Sequence, residues 1–542
     1  MEDSQDVVIG KVTRVAVAEI QASFDPEALA SVEEGIAKGA IPAGRVGSYV
    51  SIRDSGRRIL ARVQSCDQDD QGKLLAVLLA VGELSKEGVF FRGVAHYPRP
   101  GAQVEAAGDR LIRKLFRTIA QGGLSLGTIP ALGNTPVGID PNRFFNRHVA
   151  VLGQSGSGKS WATATIIQRA VEAMPNAHIV LLDLHGEYAW TDDEGATHTA
   201  FKDKTARYLD ARDLEIPYWL LTFAELSDLL IDRDDENAPT HSAFIRENLE
   251  DLKRGGQRKD DYPHITVDSP VYYSLEELFD RIKEANDQML DFGKTPGPLY
   301  GLFDKLLTRF ESRLTDNRYQ FLFKPRKRTS SESMEGLLRD FVGLGEPRAQ
   351  ITIIDLSSVP FDVRPTVCAQ IGRVAFEFNY WNRRYREFPL FLVCEEAHAY
   401  IPRERGSEFE GARKSMERIA KEGRKYGVGL CVISQRPKEV SETVLAQCGN
   451  FLCLRMTNPD DQDYVRQLVP ESEGKLIDIL AGLSRGEVMA LGEGIPIPIR
   501  FRFYKPDPAP HSRDVNYATG WKDGPEDLDV ARIVQRWRWQ RR

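Results

Sequence analysis

The sequence predicts an α/β protein with a mainly parallel sheet, a small β-barrel before that sheet and a helical insertion within it. Three observations predict this class. After residue 145, short apolar runs alternate with amphipathic helical segments, which is the pattern of parallel sheets. Before residue 100, short β-branched runs are separated by Gly, Pro and Asp, as in a barrel or sandwich. Between residues 201 and 345, apolar residues recur at helical spacing.

The composition is that of a chain with several globular domains. Its 542 residues are 42% hydrophobic and 28% charged, which excludes a mostly disordered or fibrous protein. The formal net charge of −7 excludes a globally basic nucleic-acid coat, so any DNA contact must come from a local patch or an assembly. The acidic N-terminus, and the lack of an apolar run of about 18–20 residues, predict a cytoplasmic protein without a membrane span.

The six cysteines favour buried free thiols over a disulfide framework or a metal site. They form no CxxC pair, and several lie inside apolar runs: Cys66, Cys368, Cys394, Cys431, Cys448 and Cys453.

Residues 1–100 are predicted to form the barrel. Its candidate strands are Val7–Ile20, Val46–Ile52, Ile59–Val63, Leu74–Val81 and Val89–Ala95. The Pro- and Gly-rich stretch that follows predicts a linker over residues 101–144.

Residues 145–200 and 346–500 are predicted to form the α/β core. Val149–Leu152 is a candidate buried strand, and Ser160–Met174 is a candidate helix that Pro175 ends. Further strands of one mostly parallel sheet are predicted at Ile179–Leu182, Ile351–Ile354, Pro389–Cys394, Val428–Ile433, Phe451–Leu454 and Glu487–Leu491.

The interruption of the core, residues 201–345, is predicted to be a small helical bundle. Ser274 begins a capping box. Apolar residues follow it at helical spacing, at Leu275, Leu278, Phe279, Ile282 and Met289. Tyr300–Leu314 repeats the pattern, and the rest of the chain, residues 501–542, is predicted to be a C-terminal arm.

A phosphate loop of the G-x-x-x-x-G-K-[ST] type follows the first core strand. It consists of Gly153, Gln154, Ser155, Gly156, Ser157, Gly158, Lys159 and Ser160. Lys159 is expected to reach the β- and γ-phosphates of a nucleotide, and the Ser160 hydroxyl to bind Mg²⁺. The strand before the loop and the helix after it favour this interpretation over a flexible linker.

Polar residues at later strand ends narrow the chemistry to hydrolysis. Glu395 and Glu396 end an apolar strand, so Glu395 is expected on the metal side and Glu396 as the general base. Gln435 ends the next strand and is a candidate sensor of the γ-phosphate. Asp183 and Glu187 follow the second strand, where strand ends meet the ligand crevice.

Three histidines near strand ends, His148, His185 and His398, could form a metal cluster. Hydrogen bonding to nearby backbone is the favoured alternative.

Taken in order, these motifs resemble the HerA family of hexameric DNA-translocating ATPases, which is related to FtsK. The matching segments are Arg147-His148 with the phosphate loop, Asp183–Tyr188, Ile353–Ser357, Glu395–His398, Glu422–Gly427 and Ser434–Pro437. The resemblance covers roughly residues 145 to 500, and the N-terminal region resembles that family's barrel.

The resemblance implies a RecA-like P-loop core in a homohexameric ring that uses ATP and Mg²⁺ at subunit interfaces. It also implies an arginine supplied by the neighbouring subunit, for which Arg424 is the first candidate and Arg147 the second. The sequence departs from the family at Glu395, where an Asp is usual.

A ring implies duplex DNA in its central pore. Candidate pore loops are Arg403–Lys414 and Lys253–Lys259. The basic tail Arg532–Arg542 could stack on single strands, but the resemblance favours an arm that braces the adjacent subunit through Trp537 and Trp539.

The main hypothesis is therefore an ATP-driven duplex DNA translocase or helicase that acts with a partner nuclease or effector in DNA end processing or anti-phage defence. The partner is expected to dock on the barrel. The alternative is an ATP-binding hexameric scaffold that organises a defence effector, either a nuclease or an NAD-hydrolysing sirtuin-type enzyme. A P-loop kinase is disfavoured by the paired glutamates and Gln435.

Overall fold

The structure is a computed structural model, and it describes residues 7–16, 19–33, 43–70, 72–85, 89–106, 108–192, 194–202, 204–255, 264–406, 409–512, 515–525 and 527–539. Its strands are β1 (Val8–Ala16), β2 (Glu19–Phe24), β3 (Tyr49–Asp54), β4 (Arg57–Gln68), β5 (Leu74–Leu84), β6 (Phe90–Arg92), β7 (Gln103–Glu105), β8 (Leu124–Ile129), β9 (Thr135–Ile139), β10 (Val149–Leu152), β11 (Ile179–Asp183), β12 (Ala189–Thr191), β13 (Thr197–Thr199), β14 (Ala206–Asp210), β15 (Met289–Leu290), β16 (Thr295–Pro296), β17 (Ile351–Asp355), β18 (Leu390–Cys394), β19 (Val428–Ser434), β20 (Asn450–Cys453), β21 (Glu487–Gly492) and β22 (Ile499–Phe503).

Helices lie in many of the connections between these strands. They are α1 (Pro26–Glu33), α2 (Gly108–Gly122), α3 (Pro141–Asn146), α4 (Lys159–Ala173), α5 (Ala211–Leu214), α6 (Phe223–Leu230), α7 (Ala238–Gly255), α8 (Leu275–Asp287), α9 (Asp304–Thr315), α10 (Gln320–Phe323), α11 (Ser333–Phe341), α12 (Arg364–Trp381), α13 (Glu410–Glu422), α14 (Glu442–Ala446), α15 (Pro459–Leu468), α16 (Tyr517–Asp523) and α17 (Val530–Trp539). The chain divides into two compact units, Met1–Asn176 with Gly429–Pro510, and Ala177–Val428 with His511–Arg542.

The first unit begins with the predicted barrel. Six antiparallel strands pair in the order β2-β1-β7-β3-β4-β5, and pairing of β2 with β5 closes the ring. Buried residues such as Ile9, Ile52 and Val104 fill its interior. The run Val7–Ile20, predicted as one strand, is divided between β1 and β2, which pair with each other.

The predicted linker, residues 101–144, is folded instead. It supplies the barrel strand β7, which pairs with β1 and β3, the helices α2 and α3, and the strands β8 and β9. Its Pro and Gly residues mark turns and caps between these short elements: Pro141 begins α3, and the Asp140 side chain accepts the Asn142 and Arg143 amides. Gly127 permits close pairing of β8 with β22, because a Cβ there would lie 2.1 Å from the Arg502 carbonyl oxygen.

The α/β part of the first unit is a sheet centred on β10. This strand is parallel to β19 on one side and to β20 on the other, and all four of its residues are buried. Beyond β20, the strands β21, β22, β8 and β9 are antiparallel. The predicted strand Glu487–Leu491 is therefore present, but antiparallel to its neighbour.

The second unit contains four parallel strands in the order β14-β17-β11-β18. The strand β14 lies inside the predicted insertion 201–345, so the helical part begins only at α5. All five residues of β14 are half-buried, and its sequence Ala-Arg-Tyr-Leu-Asp mixes polar and apolar residues. It therefore lacks the continuous apolar run by which the other core strands are predicted. Helices α5 to α11 form the insertion, and Met289 lies in the hairpin β15–β16 rather than in α8.

All six cysteines are free, and five of them are buried, as predicted. No helix in the described part of the chain is long and apolar enough to span a bilayer. The structure confirms the predicted class, a mixed α/β core with a mainly parallel sheet, an N-terminal barrel and a helical insertion.

Candidate active site

The phosphate loop lies between β10 and α4 in the first unit. Backbone hydrogen bonds fix its course: the Gly153 amide donates to the Ser434 carbonyl (3.3 Å) and the Gln154 amide to the Arg455 carbonyl (3.0 Å). The Gln154 side-chain oxygen accepts the Thr457 amide and hydroxyl, at 3.1 and 2.8 Å. The loop is thus held on both sides by the ends of neighbouring strands.

Two glycines give the loop its curvature. Gly156 and Gly158 have φ of +72° and +104°, which side chains with a Cβ rarely adopt. A Cβ on Gly153 would lie 2.8 Å from the Ser157 hydroxyl and 2.9 Å from the Leu454 Cβ. The motif glycines are therefore required by backbone shape and by space.

The polar groups of the loop fit a bound polyphosphate. Helix α4 begins after Gly158 with no side-chain cap, so its first amides are available to an anion. Lys159 is buried and its Nζ donates to the Gln154 carbonyl at 3.3 Å. The Ser157 hydroxyl is buried and has no hydrogen-bond partner among the described residues.

Gln435 lies beside this loop, as the sequence predicts. It is half-buried and follows Ser434, the last residue of β19, whose carbonyl accepts the Gly153 amide. Strand register places Ser434 opposite Leu152, the residue before the loop. The first unit therefore unites the loop and the predicted sensor.

Arg147 and His148, just before β10, have structural contacts. The Arg147 Nε lies 3.1 Å from a Glu493 carboxylate oxygen. The Leu430 amide donates to the His148 Nδ1 at 3.0 Å, which supports the hydrogen-bonding alternative for this histidine.

In the second unit, Asp183 organises the turn after β11. Its two buried carboxylate oxygens accept four backbone amides, at 2.8–3.2 Å, from Gly186, Glu187, Tyr188 and Ala189. Burial raises the pKa of Asp183. The structure therefore gives Asp183, predicted as a catalytic residue, a role in holding the turn.

Glu395 joins the same turn from the end of β18. One carboxylate oxygen accepts the Leu184 amide at 2.9 Å. Burial, together with the nearby Asp183 and Glu187 carboxylates, raises the pKa of Glu395 well above its usual range. Glu395 thus faces the interior of the unit.

Glu396 points differently because its backbone is left-handed, with φ of +46°. A non-glycine residue in this region is strained, and such strain is concentrated at functional sites. One carboxylate oxygen lies 3.2 Å from the His398 Nδ1. Adjacent glutamates with the same side chain are therefore held in different surroundings, and Glu396 is the more accessible.

Sequence reasoning included Asp355 in the matching segment Ile353–Ser357 but gave it no role, and the structure shows it as a buried residue at this edge. Register places it opposite Asp183 on one side and Asp210 on the other. It accepts the Tyr208 hydroxyl and the Ser357 amide, both at 2.8 Å. The sequence feature that could have identified Asp355 is an Asp at the end of an apolar strand, the same feature that identified Asp183.

The other predicted residues are more dispersed. Glu187 is half-buried, and its carbonyl accepts the His511 amide at 2.7 Å. Arg424 is exposed in a tight turn after α13, and within the described residues its side chain makes no hydrogen bond or ion pair. No group of three His, Cys, Asp or Glu that could hold a metal ion occurs in the described part of the chain.

The candidate pore loops are only partly loops. Lys253 is buried near the end of α7 and donates to the Val267 and Ser269 carbonyls at 2.7 and 2.8 Å, while residues 256–259 lie outside the described residues. Arg413 lies in α13, where it is bound to Glu410 and Glu417; residues 407–408 are also outside the description. Neither Lys253 nor Arg413 is therefore free to line a pore.

The chain is similar along most of its length to proteins named as DNA repair helicases. The family described as "Helicase HerA, central domain" matches residues 124–373. The DNA double-strand break repair helicase HerA of Pyrococcus furiosus is 27% identical over 431 residues, which are 75% of this chain and 73% of that protein. The protein of the same name from Sulfolobus acidocaldarius is 26% identical over 458 residues, 81% of this chain and 80% of that one. A structure of VirB4 of Thermoanaerobacter pseudethanolicus aligns with a TM-score of 0.44 and 18% identity, covering 73% of this chain and 97% of that one.

Proposed function

Because the chain belongs to the HerA family of ATP-hydrolysing P-loop enzymes, we propose that it is an ATP-driven translocase or helicase of double-stranded DNA. The observation that carries this proposal is a phosphate loop shaped for ATP, in a chain that aligns over most of its length with proteins named as DNA double-strand break repair helicases. By extension we propose a role in DNA end processing, with anti-phage defence as the alternative that the resemblance implies.

Within the ATP site, we assign roles by charge and accessibility. Lys159 and the first amides of α4 bind the phosphates, and the Ser160 hydroxyl contributes to the Mg²⁺ site. Bound Mg²⁺ neutralises phosphate charge during hydrolysis. Glu396, the more accessible glutamate, accepts the proton of the attacking water. One Glu395 oxygen accepts the Leu184 amide, and the Glu395 carboxylate would supply negative charge on the metal side of the site.

Two substitutions test this assignment. Lys159→Ala should abolish ATP binding and turnover, whereas Glu396→Gln should retain binding, measured by calorimetry, and lose turnover by about 10²-fold or more. Glu404→Gln, at an exposed glutamate nearby in the sequence, is the matched control and should keep both. Wild-type turnover by Glu396→Gln would exclude Glu396 as the base.

We propose that the active form is a homohexamer joined through the C-terminal arm. In the arm, Trp537 and Trp539 are 75% and 62% exposed, and no residue of α17 is buried. Such exposed aromatic area is typical of an interaction surface. Trp537→Ser with Trp539→Ser should reduce the particle mass from about six subunits to smaller species; an unchanged mass would contradict the arm's role.

A mixing experiment tests whether Arg424 acts on the neighbour's ATP. Arg424→Ala retains its phosphate loop, and Lys159→Ala retains its arginine, so a mixed ring would contain complete sites between unlike subunits. Each variant alone should be inactive, and the mixture should recover part of the turnover. If it does not, the same mixture with Arg147→Ala tests the second candidate.

We further propose that the partner enzyme docks on the barrel. Val46, Val89 and Phe91 are 60%, 54% and 57% exposed there, and Phe91 lies on β6, which pairs only with β5 in the described sheet. Phe91→Asp should weaken binding of a nuclease or effector encoded beside this gene by at least tenfold, and Leu75→Asp, another exposed barrel position, serves as comparison. If Phe91→Asp binds the partner as tightly as wild type does, the partner does not dock on this face of the barrel.

Movement along DNA separates the motor from the scaffold. A motor should hydrolyse ATP faster with duplex DNA and displace a third strand from a triplex, and Glu396→Gln should do neither. Partner activity that survives Glu396→Gln, in a protein that never moves on DNA, would favour the ATP-binding scaffold.

A further inference from the structure

A tryptophan and two cations lie together beside the phosphate loop, all in the first unit. Trp161 is the third residue of α4, directly after Lys159 and Ser160. The Arg485 guanidinium lies 5.4 Å from the centre of the indole ring, and the Lys505 ammonium lies 6.0 Å from it. None of the three was a candidate from the sequence, because they come from three distant segments.

Backbone hydrogen bonds hold these segments against the phosphate loop. The Gly486 amide, next to Arg485, donates to the Ser157 carbonyl at 3.0 Å, and the Phe503 amide donates to the Gly486 carbonyl at 3.0 Å. The Thr165 hydroxyl of α4 donates to the Tyr504 carbonyl, next to Lys505, at 2.9 Å. The positions of both cations are therefore tied to the loop itself.

The indole N–H of Trp161 lacks a hydrogen-bond acceptor among the described residues. Its nitrogen, Nε1, is also shut off from solvent. A buried donor left unpaired costs about 1–3 kcal/mol, so such groups call for an explanation. The two cations beside it are exposed and carry charge that no carboxylate in the described structure pairs with.

An unpaired donor and two cations together favour a ligand that offers both negative charge and acceptor atoms. Lys159 and the start of α4 account for the β- and γ-phosphates of ATP, while the α-phosphate, ribose and base have no assigned partners. We propose that Trp161, Arg485 and Lys505 bind this nucleoside end: Arg485 and Lys505 neutralise the α-phosphate, and Trp161 Nε1 donates to an acceptor of the nucleoside. This rests on the proposed ATP site.

Calorimetric titrations of the full chain with three probes separate the binding of the β- and γ-phosphates, the α-phosphate and the nucleoside. Pyrophosphate presents only the two phosphates of the loop, tripolyphosphate adds a third, and ATP adds the nucleoside. Trp161→Phe keeps a smaller aromatic ring and removes the donor, so ATP should bind about five- to tenfold more weakly while both inorganic probes bind as to wild type. Arg485→Gln with Lys505→Gln should weaken ATP and tripolyphosphate about tenfold and leave pyrophosphate unchanged.

The controls distinguish this proposal from the ATP site as a whole. Lys159→Ala should weaken all three probes, and Trp381→Phe, which removes an exposed indole donor bound to Glu377 in the second unit, should weaken none. The inference is overturned if Trp161→Phe binds ATP like wild type, or if either variant weakens pyrophosphate as much as ATP, since the cluster would then only support the loop. The cation variants change exposed side chains, so they remain informative if Trp161→Phe folds poorly.

Discussion

Replacing Asp183 by Asn tests whether this carboxylate holds the turn or takes part in catalysis. One oxygen accepts the Gly186 and Glu187 amides, and the other accepts the Tyr188 and Ala189 amides. Asn keeps one acceptor oxygen and places an NH₂ group where the other oxygen stood. Two buried backbone donors then face a donor instead of an acceptor.

The size of the effect follows from those two donors. Each buried donor without a partner costs about 1–3 kcal/mol, so Asp183→Asn should lower the free energy of unfolding by about 2–6 kcal/mol. Asp140 provides a matched control, because its single accepting oxygen receives the Asn142 and Arg143 amides at the start of α3. Asn also caps helices well, so Asp140→Asn should cost less than about 1 kcal/mol.

Urea unfolding followed by tryptophan fluorescence measures both variants, and Trp190 lies just beyond the turn in β12. If Asp183→Asn keeps wild-type stability but loses ATP turnover, the proposed role in holding the turn is wrong and a catalytic role for Asp183 is supported instead. Loss of stability with turnover retained at low temperature is the expected outcome.

Three further predictions concern single residues elsewhere in the chain. Burial lowers the pKa of Lys253 from 10.5 to about 8. Between pH 8 and 10.5 the Lys253 side chain is therefore protonated in the unfolded chain and neutral in the folded one. The free energy of unfolding should rise with pH across this range by about 3 kcal/mol in total. In urea titrations at several pH values, Lys253→Met should remove that rise, and the exposed Lys305→Met should keep it. Gly158→Ala places a Cβ at a φ of +104°, 3.2 Å from the Gly486 nitrogen; calorimetry should show ATP affinity reduced more than tenfold, and wild-type affinity would contradict the requirement for glycine. Phe292 is fully exposed at a φ of +54°, so Phe292→Gly should stabilise the protein by about 1 kcal/mol in thermal unfolding, whereas Ala at Gly293 (φ of +85°) should destabilise it.

The phosphate loop could be predicted from the sequence because its requirements are local. The positive φ of Gly156 and Gly158 and the position of Lys159 at the start of α4 all follow from eight consecutive residues. The core strands were predictable for a similar reason, since strands such as β10 are buried along their whole length and appear as continuous apolar runs.

Features that depend on distant partners could not be predicted in this way. The half-buried strand β14 is defined by its pairing with β17, and nothing in its own residues marks it. The stretch 101–144 shows Gly and Pro, but only the pairing of β8 with β22 reveals that these residues punctuate folded elements. Trp161, Arg485 and Lys505 are far apart in the sequence, so no motif could join them.

The paired glutamates show how one motif can contain two environments. Glu395 and Glu396 carry the same carboxylate, and the sequence distinguishes their expected roles only by their order, whereas the backbone gives them different contacts. Glu395 continues the geometry of β18 and reaches the Leu184 amide across to β11, a contact that uses the length of its side chain. Glu396 leaves the strand in a left-handed conformation, and one of its carboxylate oxygens lies 3.2 Å from the His398 Nδ1. Glu395 is thus tied to the Asp183 turn, whereas Glu396, only 13% exposed, lies against His398, and the left-handed backbone of Glu396 is what gives the two carboxylates different contacts.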